Sequence, residues 1–255
     1  MRTALLLALL AIGCAWAQED DSETLVNTSW TNPPQFERDN WTFVRLHPQD
    51  HWKWSVDRPD SDLNIAYRLH ELTSLNVDTK CRAIPILSPE LYDYPFCYIV
   101  EPGALNLTDK EAEILRGYLL NGGFLMFDDF WGPGEWQNLY ENLKRIFPDR
   151  EPIELNPRHP VYHVVFNVKE NPQTPQAELA VANRNTGIFW EQGAKGSHFY
   201  GIFDDKGRMM VFVSRDNDFG DTWEKEGYDP WFFHEFSEKR GYPMTFNVIM
   251  YMLTH

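Results

Sequence analysis

Short apolar segments alternate with amphipathic ones along this chain, and that alternation restricts the fold more than any other feature. Trp41 to Leu46, with Phe43, Val44 and Leu46, reads as a strand. Ala83 to Leu87, Phe96 to Val100 and Phe124 to Phe127 read as three more. Between the first and second, Leu63, Ala66, Leu69 and Leu72 recur at helical spacing, with Asp60 or Ser61 placed to cap. Thr108 with Glu111 fits a capping box, opening a helix through Ala112, Leu115 and Leu119 that stops at Gly122-Gly123. Trp136, Leu139, Leu143 and Ile146 mark another helix, ended by Pro148. Strand, helix, strand, strand, helix, strand, helix is the order of a flavodoxin-like α/β fold, a mostly parallel open sheet with helices on both faces. Towards the C-terminus, Ser197 to Phe203 and Arg208 to Val213 flank a turn at Asp204-Asp205-Lys206-Gly207 and predict a β-hairpin. A helix from about Pro243 to Leu253 closes the chain.

Residues 1–17 read as a signal peptide. Arg2 forms a minimal basic region, Ala4 to Ile12 a short apolar one, and Ala15-Trp16-Ala17 a small-x-small cleavage site. The apolar run falls short of the roughly 20 residues that span a bilayer, and no later segment supplies a transmembrane span. A periplasmic or secreted location follows. Ala11-Ile12-Gly13-Cys14 also resembles a lipobox, so anchoring as a lipoprotein through Cys14 is the alternative. Residues 18–40 are polar and acidic and read as a surface leader. Residues 41–255 form one domain, because single cores keep growing up to roughly 250 residues.

With a formal charge of -15, the chain is a poor partner for nucleic acid, whose binding rests on basic side chains displacing counterions. After cleavage only Cys81 and Cys97 remain. In a flavodoxin-like order they start strands two spacings apart, about 10 Å, and a disulfide tolerates at most about 7 Å between Cα atoms. Two free, buried thiols are expected.

Open α/β sheets bind ligands at the carboxyl ends of their strands. Asp128 and Asp129 end the fourth strand, followed by Phe130-Trp131-Gly132-Pro133-Gly134. They either hold a cation or sugar hydroxyls, or cap a loop that Gly-Pro-Gly then turns. Asp216 to Glu224 is the densest polar stretch, and its alternating oxygen side chains resemble a calcium loop without the full EF-hand register. The competing reading is a tight turn held by Asx hydrogen bonds. No cofactor is expected; if a metal is bound, oxygen ligands favour Ca²⁺ or Mg²⁺ over Zn²⁺. His159 and His163 have HxxxH spacing, but Pro160 and the missing Glu speak against a zinc helix. No serine-hydrolase elbow, phosphate-binding loop or dinucleotide fingerprint occurs.

Several long segments carry a family resemblance. They are Asp57 to Asn64, Pro89 to Phe96, Leu119 to Leu125, Asp128 to Gly132, Asn217 to Glu224 and Asn247 to Tyr251. Through them the chain resembles a bacterial domain family of unknown function, DUF4159, over nearly its whole mature length. The resemblance implies a domain similar to class I glutamine amidotransferases, whose nucleophilic cysteine sits on a turn after a strand. Asp128-Asp129-Phe130-Trp131 occupies the comparable strand end here, so glutaminase activity is not carried over. Three readings follow. The first is non-catalytic binding of a ligand, including a carbohydrate, or of a protein, through Asp128, Asp129, Trp131, Asp218, Asp221, Trp223, Glu224 and His163. The second is a carboxylate- or cation-dependent hydrolase. The third is a scaffold subunit of an envelope complex.

Overall fold

The computed structural model describes residues 22–36 and 39–255. The signal segment and Cys14 lie outside the described residues. An eight-stranded sheet forms the centre, in the order β1-β3-β2-β4-β5-β8-β7-β6. The strands are β1 (Glu23–Val26), β2 (Val44–His47), β3 (Lys80–Pro85), β4 (Phe96–Val100), β5 (Phe124–Asp128), β6 (Ile153–Glu154), β7 (His198–Phe203) and β8 (Met209–Arg215). The inner five, β3-β2-β4-β5-β8, are parallel. β1 pairs antiparallel with β3 at one edge, and β7 and β6 follow β8 antiparallel at the other.

Every residue of β4 and β5 is buried, which is what helices on both faces of a parallel sheet produce. Side chains alternate between two cores along a strand. Phe96, Tyr98 and Val100 point into one, with α1 (Asp60–Leu72) and α7 (Tyr242–Thr254). Cys97 and Ile99 point into the other, with α2 (Asp109–Leu120) and α3 (Gly132–Ile146). The remaining helices are short, α4 (Ala177–Ala182), α5 (Phe219–Glu224) and α6 (Pro230–Phe232), and a π-helical stretch, Phe233–Gly241, leads into α7.

The capping box forms as the sequence predicts. Thr108 Oγ1 accepts from Glu111 N at 3.2 Å and Glu111 Oε2 accepts from Thr108 N at 2.8 Å. α2 ends where Gly122 takes φ 111°, a backbone region open to glycine. β2 lies between β3 and β4, as the flavodoxin-like order requires, and Cys81 and Cys97 are free and buried. They belong to different cores, so the sheet itself separates them. Among the described residues, no helix is long and apolar enough to cross a membrane.

Four local expectations need correction. Glu23–Val26, read as leader, adds an antiparallel edge strand. Leu72, assigned to the apolar face of α1, is 62% exposed. Neither Asp60 nor Ser61 caps α1; its N-cap is Pro59 with no side-chain bond, because Ser61 and Asp62 turn inward onto the buried guanidinium of Arg45. Gly132-Pro133-Gly134 forms the first turn of α3 rather than a free loop, with proline where its missing N–H costs nothing.

Candidate functional site

The register pairs Val100 with Asp128, so β4 and β5 deliver their carboxyl ends at the same level. Beyond them the chain after β5 and the chain after β8 are joined: Phe130 bridges to Asn217, Asp216 N donates to the Phe130 carbonyl at 3.0 Å, and Gly132 N donates to Asp216 Oδ1 at 2.7 Å. Asp129 sits between with φ 59°, a left-handed conformation that aspartate tolerates better than most side chains.

Asp128 faces inward and is fully buried. Its Oδ2 accepts from the Tyr98 hydroxyl at 3.1 Å and from the backbone N–H groups of Phe219 and Gly220 at 2.8 and 3.0 Å. It therefore ties β5 to the start of α5, where orphan N–H groups need acceptors. Burial pushes its pKa up to about 7, against the pull of those donors. Asp218 caps α5, its Oδ1 accepting from Asp221 N at 2.7 Å, and Asp221 Oδ2 accepts from Ala177 N at 2.6 Å. Asn217 Oδ1 is taken by Thr174 and Ser197. The calcium-loop-like stretch is thus a helix entry held by Asx bonds, and it still aims three carboxylates outward.

Those carboxylates meet others in a cavity of about 360 Å³ at the carboxyl edge of the sheet. The loop after β2 contributes Lys53, Val56 and Asp57, and β4 is followed by Glu101. Asp129 and Trp131 come from the loop after β5, and Asp218, Asp221, Glu224 and Lys225 from the chain after β8. Gln176, Glu178, Glu191 and Gln192, from the excursion before β7, close the wall. Eight of these residues are acidic and two are lysines. Both lysines are paired, Lys53 Nζ with Glu101 at 2.7 Å and Lys225 Nζ with Glu224 at 3.2 Å.

Two sets of three carboxylates converge, Asp57 with Asp129 and Asp218, and Asp57 with Asp221 and Glu224; in each, one oxygen from every member lies within 4.8 Å of the others. Burial, then mutual repulsion, holds Asp57, Asp129 and Asp218 well above the usual carboxylate range. Asp221 is pushed by burial up to about 7, although its bond from Ala177 works the other way. Asp129 is only 8% exposed; among the described residues no donor hydrogen-bonds its side chain, and Lys53, whose charge it feels, pairs with Glu101 instead. Asp57 Oδ2 is likewise shut off from solvent without a partner.

Of the residues singled out in the sequence, Asp129, Trp131, Asp218, Asp221 and Glu224 line this cavity, and Asp128 stands behind it. Trp223 does not reach it. The indole is fully buried against Phe43, Tyr98 and Phe219, where it packs the core and offers no face to a ligand. His163 lies elsewhere, its ring bonded to Asn167 and to the Pro157 carbonyl. Asp57, Glu101, Glu178 and Glu191 were not anticipated as site residues. Asp57 and Glu101 carried a usable signal, since each follows a strand whose carboxyl end faces the ligand side of such a sheet. The two cysteines offer no nucleophile here: burial raises both thiols, Cys97 to about 12, and the thiolate is the reactive form.

Fold and cavity together define an open α/β domain with a carboxylate-lined pocket where its parallel strands end. The family model of DUF4159, a domain of unknown function, matches residues 42–253, and the chain belongs to that family. No curated protein matches the chain.

Proposed function

We propose that this cavity holds a hard divalent cation, Ca²⁺ or Mg²⁺, and that the protein, exported by its N-terminal signal, uses it to bind a polar ligand. The observation that carries the reading is Asp129, a carboxylate more than nine-tenths buried among Asp57, Asp218 and Asp221 with no donor to satisfy it. An isolated buried carboxylate is costly and either takes a proton or finds a cation. Around it are oxygen donors without a thiol or imidazole, which suits Ca²⁺ or Mg²⁺ rather than Zn²⁺. Among the described residues Trp131 is the one aromatic ring in the wall, so ligand recognition through the cation and the rim residues Lys53, Lys225, Gln176 and Gln192 fits better than stacking of a sugar on indoles. Calorimetric titration of protein stripped with a chelator provides the test. Saturable uptake of Ca²⁺ or Mg²⁺ that Asp129→Asn weakens at least tenfold is the expected result. No uptake of either ion, with no shift in thermal unfolding, would overturn the reading.

A further inference from the structure

We infer that the site is binuclear, with Asp57 bridging two divalent cations. The inference rests on the cation reading above and adds the number of ions and the residue that couples them. Asp57 is the one member common to both carboxylate triads. Donor oxygens around a single Ca²⁺ lie about 2.3–2.6 Å from the ion, so oxygens up to roughly 5 Å apart can share it, and each triad meets that limit on its own. One ion fits Asp57, Asp129 and Asp218; a second fits Asp57, Asp221 and Glu224. A carboxylate has two oxygens and bridges in just this way in two-metal centres, where the ions stand about 3.5–4 Å apart.

Charge argues for the same count. A single divalent ion together with Lys225, which pairs with Glu224, would leave two of these five negative charges uncompensated, and Lys53 is already taken by Glu101. A second ion brings the group close to neutrality. Two unpartnered groups within the cluster point to missing ligands: among the described residues Asp129 has no donor although it is more than nine-tenths buried, and Asp57 Oδ2 is enclosed without a partner. Backbone geometry fixes the position of Asp57. Asp57 takes φ 66°, and its carboxylate lies so close to Gly220 that a Cβ there would overlap Oδ2. The ligand is thus held against the first turn of α5, between Asp218 and Asp221.

Mn²⁺, a paramagnetic substitute for either ion, gives a direct readout. Equilibrium dialysis of the stripped protein should find two Mn²⁺ per chain, with the exchange-coupled spectrum of a bridged pair in electron paramagnetic resonance. Asp129→Asn and Glu224→Gln should each reduce the count to one and give an uncoupled spectrum, and Asp57→Asn should abolish the coupling. Circular dichroism and thermal unfolding check that each variant is folded; the first two decide the matter even if Asp57→Asn does not fold. One ion per wild-type chain, or two that are uncoupled, would overturn the bridge while leaving the cation reading intact. No bound ion would overturn both.

Discussion

Arg45 and Asp62 face each other between β2 and α1 with neither side chain reaching solvent, Nε lying 3.1 Å from Oδ1. The same guanidinium donates to the carbonyls of Trp54 and Val56 at 3.2 and 2.7 Å. One buried cation therefore fixes the loop that presents Asp57 to the cavity. Removing one partner of a buried pair leaves a charge uncompensated, at about 3–5 kcal/mol. Asp62→Ala should lower stability by that amount in urea unfolding and should also weaken cation uptake. The double variant Arg45→Met, Asp62→Leu should regain much of the stability without regaining uptake, because the carbonyls of the loop lose their donor.

Asp128 makes a different prediction. It lies behind the cavity and joins Tyr98 to the entry of α5. Asp128→Asn keeps the shape and weakens charge-assisted bonds, so a loss of about 1–3 kcal/mol is expected. Denaturant titration measures it, and Mn²⁺ stoichiometry should stay at the wild-type value.

Two glycines form a matched pair. Gly220→Ala sets a methyl group against the Asp57 carboxylate, whereas Gly134 has open space where its Cβ would go. Gly220→Ala should cut cation affinity at least tenfold. Gly134→Ala should leave affinity unchanged and raise stability by about 0.4–1 kcal/mol through the unfolded state. Equal affinities for the two variants would remove Asp57 from the site.

His51 supplies a pH dependence. Burial holds its pKa below the ordinary value, with the charges of Lys53 and Arg45 adding to the effect, against a hydrogen bond to the Val100 carbonyl at 2.8 Å. Below about pH 6.5 the unfolded chain protonates this imidazole while the folded chain does not, so stability falls as pH falls through that window. The difference in melting temperature between wild type and His51→Gln should be larger at pH 7.5 than at pH 5.5. A constant difference would mean that His51 takes up its proton equally well in both states.

The parallel centre of the fold was legible because β4 and β5 are continuous apolar runs and because α2 carries its cap and stop in local residues. The edge strand was not: Glu23–Val26 is short and largely exposed, and only the free edge of β3 makes it a strand. The start of α1 was hidden for a similar reason. Asp60 and Ser61 look like caps until the buried Arg45, on the preceding strand, claims Ser61 and Asp62. In the site, Asp129, Asp218, Asp221 and Glu224 announced themselves through local density of carboxylates. Glu101 stands alone and Asp57 opens an acidic run of its own with Asp60 and Asp62, away from any strand end, so only the arrangement of strands brings the two to the same edge. Trp223 misled because an indole beside acidic residues looks the same in sequence whether it faces a ligand or the core.

The pairing of β5 with β8 brings together strands separated by α3, β6, α4 and β7. Closing a pairing across that separation is costly in chain entropy, so the contacts of residues 218–224 with Asp57 are expected to form late. Bound cations would then act on the finished structure and hardly on the transition state that precedes it. Their stabilisation belongs to the unfolding limb of the kinetics, slowing escape from the native state while leaving the rate of folding nearly unchanged.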